Sequence, residues 1–266
     1  MKLLSLSFLA VLAVVPGSAL AEDSVPDNNW RQSDRGPPQT HIPMFDLELR
    51  FGPYWPQVDS EFNTSKGPYE TVFGSGPRVY VGLELDFVPL RIPYLGGFGP
   101  GFGWGWTRAN APAIVVSTGK PSTGENTSLT IMPMHLSAVL RFDELMRRTG
   151  VPIVPFVKVG PAVGVWTASN SLGTSQYGPG CTPSTPDMKG CVAGKGATWG
   201  VHVALGAALS LNFLDPAAAS LLEHGSDVAH VYLFGEWMND ILNGFGSKKE
   251  MRVGTSTFVG GLAADF

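Results

Sequence analysis

The sequence predicts an all-β fold, an eight-stranded antiparallel up-and-down transmembrane β-barrel with short helical turns on the periplasmic side. Three observations lead to this prediction. Charged residues make up only 15% of the chain, and 33 of its 266 residues are glycine. Apolar and polar residues alternate along segments of strand length. The connections between these segments alternate between long and short, which is typical of outer-membrane barrels.

The N-terminal residues 1–21 have the features of a cleaved signal peptide. An apolar run from Leu3 to Val15 is followed by Ala19-Leu20-Ala21, a typical cleavage site. A run of about 13 apolar residues is shorter than the roughly 20 that a spanning helix needs. Residues 22–43 are rich in aspartate and proline and are expected to form an unstructured leader. The barrel is therefore assigned to residues 44–266.

Eight segments carry the period-two pattern, in which successive side chains point to opposite faces of a sheet. In Phe45–Phe51 every odd position is apolar and every even one is charged or polar. The eight predicted strands are Phe45–Phe51, Arg78–Phe87, Tyr94–Thr107, Leu129–Phe142, Ile153–Trp166, Thr198–Phe213, Val228–Asn239 and Arg252–Phe266.

The connections predict which ends of the strands face the cell exterior. The long ones, rich in Gly, Ser, Thr, Asn and Pro, cover 53–75, 109–127, 168–196 and 240–251. The short ones include the turn 89–93, a helical turn over 143–150 with an Asp cap and a closing Gly, and a short helix over 215–225. Long loops lie outside and short turns in the periplasm in barrels of this class.

A soluble β-sandwich or lipocalin-type barrel is the alternative fold, because it too has alternating strands. The segment Tyr94–Thr107 argues against it. One face of this segment carries Phe and Trp, and the other carries alternate glycines from Gly97 to Gly105. Glycines cannot fill the core of a soluble barrel, whereas a bilayer accounts for apolar side chains on the outside.

The alternation also predicts which charged side chains face the lumen. The inward-facing set contains five acids and four bases, so we expect an ion-pair network that plugs the lumen. Its predicted members are Asp46, Glu48, Arg50, Arg78, Glu84, Asp86, Arg141, Lys158 and Glu236.

Two aromatic girdles are predicted from the aromatic residues beside the connections. The outer girdle, beside the long connections, comprises Trp55, Trp104, Trp106, Trp166, Trp199 and Trp237. The inner one, beside the short connections, comprises Phe45, Phe87, Tyr94, Phe142, Phe156, Phe213 and Phe266.

The segments Pro133–Asp143 and Val154–Gly160 resemble the paired strands of small outer-membrane barrels of the OmpA and OmpW type. The chain resembles more closely a family of outer-membrane barrels typical of myxobacteria, whose members have no established activity. This resemblance implies that Phe266 is part of a C-terminal signal read by the barrel-assembly machinery. Gly261 matches that signal, whereas Val259 and Ala264 depart from it.

The cysteines and two of the histidines are the residues with potential for covalent or metal chemistry. Cys181 and Cys191 lie in the longest connection, and an exported protein passes through an oxidising compartment, which predicts a disulfide. His135 and His202 fall on non-neighbouring strands with no carboxylate expected to orient either, so we interpret them as polar lumen residues. Two cysteines cannot make a disulfide-rich scaffold or supply the four ligands of a zinc site by themselves, and a net charge of −4 gives no nucleic-acid footprint.

The sequence therefore predicts a non-enzymatic outer-membrane barrel with a structural or adhesive role through its loops, and without a cofactor or a catalytic or metal site. Its expected partners are outer-membrane lipid and the assembly machinery, and we expect a monomer. An OmpW-like conduit for small apolar molecules is the alternative within the fold. A barrel lipid hydrolase is a third hypothesis, although the sequence offers no His-Ser pair on the outer wall.

Overall fold

The computed structural model describes residues 43–62, 66–115, 118, 120–178, 181, 190–214, 228–247 and 250–266. The predicted signal peptide, the predicted leader up to residue 42 and the predicted helix over 215–225 lie outside these ranges. The cleaved signal peptide therefore stays a prediction.

Eight long antiparallel strands form one closed barrel, which confirms the predicted fold class. Each strand pairs with its neighbours in the chain, and the last pairs with the first. The strands are β1 (Phe45–Tyr54), β2 (Arg78–Phe87), β3 (Gly96–Val115), β4 (Lys120–Arg141), β5 (Ile153–Asn170), β6 (Lys195–Ser210), β7 (His230–Leu242) and β8 (Thr255–Asp265).

The strand register shows how the barrel closes. From Leu49 on β1, the paired residues lead through β2, β3, β4 and β5 to Trp199 on β6. In the other direction they lead through β8 and β7 to Leu209 on the same strand. The two paths therefore reach β6 at positions ten residues apart, Trp199 and Leu209. Eight tilted strands enclose a bore about wide enough for side chains alone.

The hairpin between β3 and β4 differs from its prediction. Residues 109–127 are predicted as a long connection, but the two strands continue to Val115 and from Lys120. Pairs such as Asn110 with Ser128 extend the ladder beyond the predicted strand ends. The sequence did not predict this extension of the two strands, because its residues are mostly polar or small and form no apolar face.

The other connections carry short elements. A 3₁₀ turn, Gln57–Glu61, and α1, Pro68–Phe73, follow β1. The predicted helical turn after β4 is α2, Glu144–Thr149, which ends at Gly150 in the left-handed conformation with φ 72°. The Asp143 side chain makes no capping hydrogen bond and pairs with Arg91. The predicted disulfide between Cys181 and Cys191 is confirmed, with Cα atoms 5.8 Å apart.

Candidate functional site: the charged interior of the barrel

The inner face of β3 provides the space that the interior needs. A Cβ atom at Gly101 would overlap the carboxylate of Asp86, and one at Gly103 would overlap the His135 ring. At Gly105 it would overlap the Tyr80 ring. Side chains from the two neighbouring strands fill the space over these glycines.

Arg50 on β1 is fully buried and joins three strands. Its Nη2 atom lies 2.9 Å from Glu48 Oε2 and 3.1 Å from Glu236 Oε2 on β7, and it also contacts Glu84 on β2. Its Nε–H donates a second hydrogen bond to Glu48 at 3.0 Å. Charge-assisted bonds of this kind offset the desolvation of the guanidinium.

Lys158 joins opposite walls of the barrel. It lies on β5, four strands from β1, and its Nζ atom is 2.8 Å from Glu48 Oε2. The same atom is 3.1 Å from Glu84 Oε1 and 3.0 Å from Asp86 Oδ2 on β2. The ion network formed by Glu48, Arg50, Glu84, Asp86, Lys158 and Glu236 therefore crosses the bore.

A histidine pair adjoins this network, contrary to our expectation for these residues. The rings of His135 and His202 are stacked, with centroids 3.7 Å apart and planes 4° apart. His202 Nδ1 is 2.6 Å from Asp240 Oδ1, and His135 Nε2 is 3.3 Å from Glu84 Oε2. Their strands are indeed not neighbours, but both have carboxylate partners. The rings meet above β5, where only Gly160 and Ala162 lie opposite them.

Toward the short connections lies a second cluster. Arg141 on β4 contacts Asp46 on β1, and its Nη1 atom is 2.8 Å from Asp265 Oδ1 on β8. The Tyr232 hydroxyl donates a hydrogen bond to Asp265 Oδ2 at 3.0 Å, and Arg141 lies over the Tyr232 ring. Asp265 is buried as well, although it is not among the nine charged residues predicted to face the lumen.

Apolar layers enclose the charged groups at both ends. Toward the long connections, Tyr54, Ile131 and Leu242 belong to one buried cluster. Toward the short connections, Phe156 and Phe234 belong to another, with ring centroids 6.3 Å apart. Because water is excluded from both sides, each charged group depends on its protein partners.

Arg78 was predicted in the network but lies elsewhere. Its guanidinium donates to the carbonyl oxygens of Phe73 and Gly74, at the end of α1, and to the Tyr69 hydroxyl at 3.2 Å. Its position at the start of β2 puts it at the end of the barrel where the long connections lie. The alternation gave the correct face of the strand but not the depth in the barrel.

The buried charges are not balanced as predicted. Among the described residues, seven carboxylates are buried with three permanent cations, Arg50, Arg141 and Lys158. The carboxylates are those of Asp46, Glu48, Glu84, Asp86, Glu236, Asp240 and Asp265. The two buried histidines, next to Glu84 and Asp240, are the remaining groups that can carry positive charge.

In the described part of the chain, two sets of buried side chains bring possible metal ligands within 4.8 Å of one another. In His135, His202 and Asp240 the parallel ring planes keep the two in-plane lone pairs from converging on one ion. In Asp46, Glu48 and Asp86 the carboxylates already have Lys158 and Arg141 as counterions. Both arrangements are therefore suited to charge pairing within the protein.

Two aromatic residues depart from the predicted girdles. Trp166 is half-buried and packs against the apolar layer at the long connections. Phe156 is buried inside the barrel at the other end. Trp55, Trp104, Trp106 and Trp199 are exposed and Trp237 is half-buried, as outer-wall residues would be. Their membership of a lipid-facing girdle stays a prediction.

Comparison with solved structures finds small outer-membrane barrels. The attachment invasion locus protein Ail of Yersinia pestis, solved with a heparin analogue, is 9% identical, with a TM-score of 0.41, over 84% of this chain and 97% of Ail. Neisserial surface protein A is 12% identical with a TM-score of 0.38, covering 83% and 94%. A major outer membrane protein of Thermus thermophilus is 11% identical with a TM-score of 0.40, covering 85% and 100%.

These identities and TM-scores are too low to transfer a function. No family model matches the chain, and no curated protein matches it. The myxobacterial resemblance therefore stays a prediction. In the part of the chain that the structure describes, no helix is long and apolar enough to span a membrane.

Proposed function

We propose that the chain is a barrel of the bacterial outer membrane with a closed lumen, whose role is structural or in interactions through its long connections. The observation that carries this proposal is the polarity of the wall. Leu136 and Leu205 on the outside are each 56% exposed, whereas Arg50 and Lys158 on the inside are each 1% exposed. A soluble barrel has the opposite polarity. A bilayer accommodates the apolar exterior, and closure pairs the backbone groups of every strand.

The closed lumen is supported by what fills the bore. Lys158 reaches from one wall to carboxylates on the opposite wall, and apolar layers lie on both sides of the network. An open pore would require this buried ion network to separate, which is costly because each charge would lose its partners. These contacts argue against the conduit hypothesis.

The lipid-hydrolase hypothesis has little support in the interior. His202 and Asp240 form the kind of pair that serves as a base and its orienting carboxylate. Both are buried inside the barrel, His202 at 0% exposure, behind the apolar layer that includes Leu242. A lipid on the outer wall could not reach them.

Cell fractionation tests the proposed location. We expect the full-length protein in the outer-membrane fraction of a Gram-negative host, because its exterior is apolar. The protein should also migrate faster on gels before boiling than after it. Recovery from the periplasm without detergent, with the same migration at both temperatures, would overturn the proposal.

A planar-bilayer recording tests the closed lumen. The purified barrel should give no stable unitary currents, since the ion network spans the bore. The double variant Arg50→Ser and Lys158→Ser, which removes both bridging cations, should give more frequent current steps in preparations whose gel shift on boiling shows a folded barrel. Large, stable single-channel currents from the unmodified protein would show that the lumen is open.

A further inference from the structure

A cavity opens at the end of the barrel that carries the long connections. It has a volume of about 810 Å³ and lies above the apolar layer formed by Tyr54, Ile131 and Leu242. Its walls come from the first connection, the β3–β4 hairpin, the end of β5 and the segment before β8. We call it the mouth cavity. Its size is that of a pocket for a small ligand.

Aromatic side chains line this cavity. Phe62, Tyr69 and Phe73 of the first connection face it, and Trp166 at the end of β5 contributes a fourth ring. The Tyr69 and Phe73 rings pack 5.1 Å apart. Among the polar groups, Trp166 Nε1 and Gln176 Oε1 are buried and have no hydrogen-bond partner in the described part of the chain.

The aromatic wall is held in place before any ligand binds. The Asp59 carboxylate accepts hydrogen bonds from the backbone N–H groups of Tyr69 at 2.8 Å and Glu70 at 2.7 Å. Arg78 binds the carbonyl groups at the other end of α1 and the Tyr69 hydroxyl. This is the structural role of the arginine that we had assigned to the lumen network. Such preorganisation lowers the entropy cost of binding.

The charge of the cavity selects among ligands. Glu61, Glu125 and Glu250 line it, and none of the lining residues that the structure describes is a lysine, arginine or histidine. Glu61 Oε1 accepts a hydrogen bond from the backbone N–H of Arg252, and Glu250 Oε2 accepts one from the backbone N–H of Trp199 at 3.4 Å. Aromatic faces and carboxylates both attract cations, and aromatic rings attract alkylated ammonium groups in particular.

We propose that the mouth cavity binds a small soluble organic cation, an alkylated ammonium group attached to an apolar body. The ammonium group lies against the aromatic wall and the glutamates, and the apolar body contacts Val58, Leu129 and Met251. The apolar layer beneath stops the ligand, so the protein binds it without conducting it. This inference rests on the proposed function, which places the long connections outside the cell.

Calorimetry with three probes of similar size tests the charge selectivity. The full-length barrel in nanodiscs is titrated with phenylbutyltrimethylammonium, with its uncharged isostere that has carbon in place of nitrogen, and with the anion phenylpentanoate. Empty nanodiscs provide the background. We expect saturable binding of the cation, about tenfold tighter than that of the isostere, and no binding of the anion. Equal affinities, or no saturable binding of the cation, would overturn the inference.

Variants place the binding in the mouth cavity. Glu250→Gln and Trp166→Leu should each weaken cation binding several-fold, since one removes a charge and the other an aromatic face. The controls are Glu144→Gln, on α2 at the opposite end, and Trp104→Leu, on the outer wall. A gel shift on boiling verifies that each variant is folded. If the controls weaken binding as much as the cavity variants do, the assigned site is wrong.

These experiments distinguish a failure of the mouth-cavity inference from a failure of the proposed function. A barrel that is located in the outer membrane and gives no currents, but does not bind the cation, contradicts the mouth-cavity inference alone. A barrel that conducts ions contradicts the closed lumen, whether or not the cation binds.

Discussion

Replacing Arg50 with alanine is expected to lower the free energy of unfolding by about 3–5 kcal/mol, the usual cost of removing one partner from a buried ion pair. Glu48, Glu84 and Glu236 all contact this guanidinium. Lys158 still contacts Glu48 and Glu84 but not Glu236, so the variant leaves at least one buried carboxylate without a cation. The effect is measured by urea unfolding of the barrel in lipid vesicles, using the heat-modifiable gel band as the readout.

Arg148→Ala is the matched control for this prediction. Arg148 pairs with Glu144 at 2.7 Å, but its side chain is 55% exposed on α2. Exposed pairs contribute roughly 0–1 kcal/mol, so this variant should unfold close to the unmodified protein. Adding Glu236→Gln to Arg50→Ala should restore part of the lost stability, because the carboxylate without a cation is removed. If Arg50→Ala and Arg148→Ala have equal effects, the network does not stabilise the barrel.

The faces of the strands could be predicted from the sequence because they depend on a local rule. Period two places Glu48 and Arg50 on one face of β1 and Leu49 on the other, and this needs no knowledge of neighbouring strands. The same rule identified Glu84 and Lys158 as inward-facing. All four are buried in the structure.

Depth along the barrel could not be predicted in the same way, because it depends on the register between strands. His135 pairs with Ala162, and His202 pairs with Gly160, so the two rings meet over small residues of β5. That meeting depends on the register of β5 with both β4 and β6. The same limit explains Arg78, which has the correct face but lies at the mouth.

The mouth cavity was missed for a different reason. Its walls come from connections whose sequences have no periodicity, and residues 53–75 were predicted only as a long connection, with no helix in it. The sequence does contain the signals of α1: Asp59 provides the acceptor for its first N–H groups, and Pro68 begins the helix. Asp59 lies ten residues before Tyr69, so no local capping pattern reveals the acceptor.

The glycines of β3 yield the second prediction with a large effect. Gly103→Val should destabilise the barrel by about 2–3 kcal/mol, in the range observed for overpacked interiors. The added side chain would overlap the His135 ring, which is stacked on His202 and is 5% exposed. The ring therefore has no free space to move into, and His135 would lose its contact with Glu84. Urea unfolding in vesicles measures the loss.

Gly235→Val separates this effect from the general cost of replacing a glycine in a strand. Gly235 lies on β7 with its missing Cβ directed outward, and nothing lies within 4 Å of that position. Valine favours strands, so this variant should be as stable as the unmodified barrel or slightly more stable. If Gly103→Val were also neutral, the inner face of β3 would not be needed to hold the histidine. The alternate glycines would then have no role in building the charged interior.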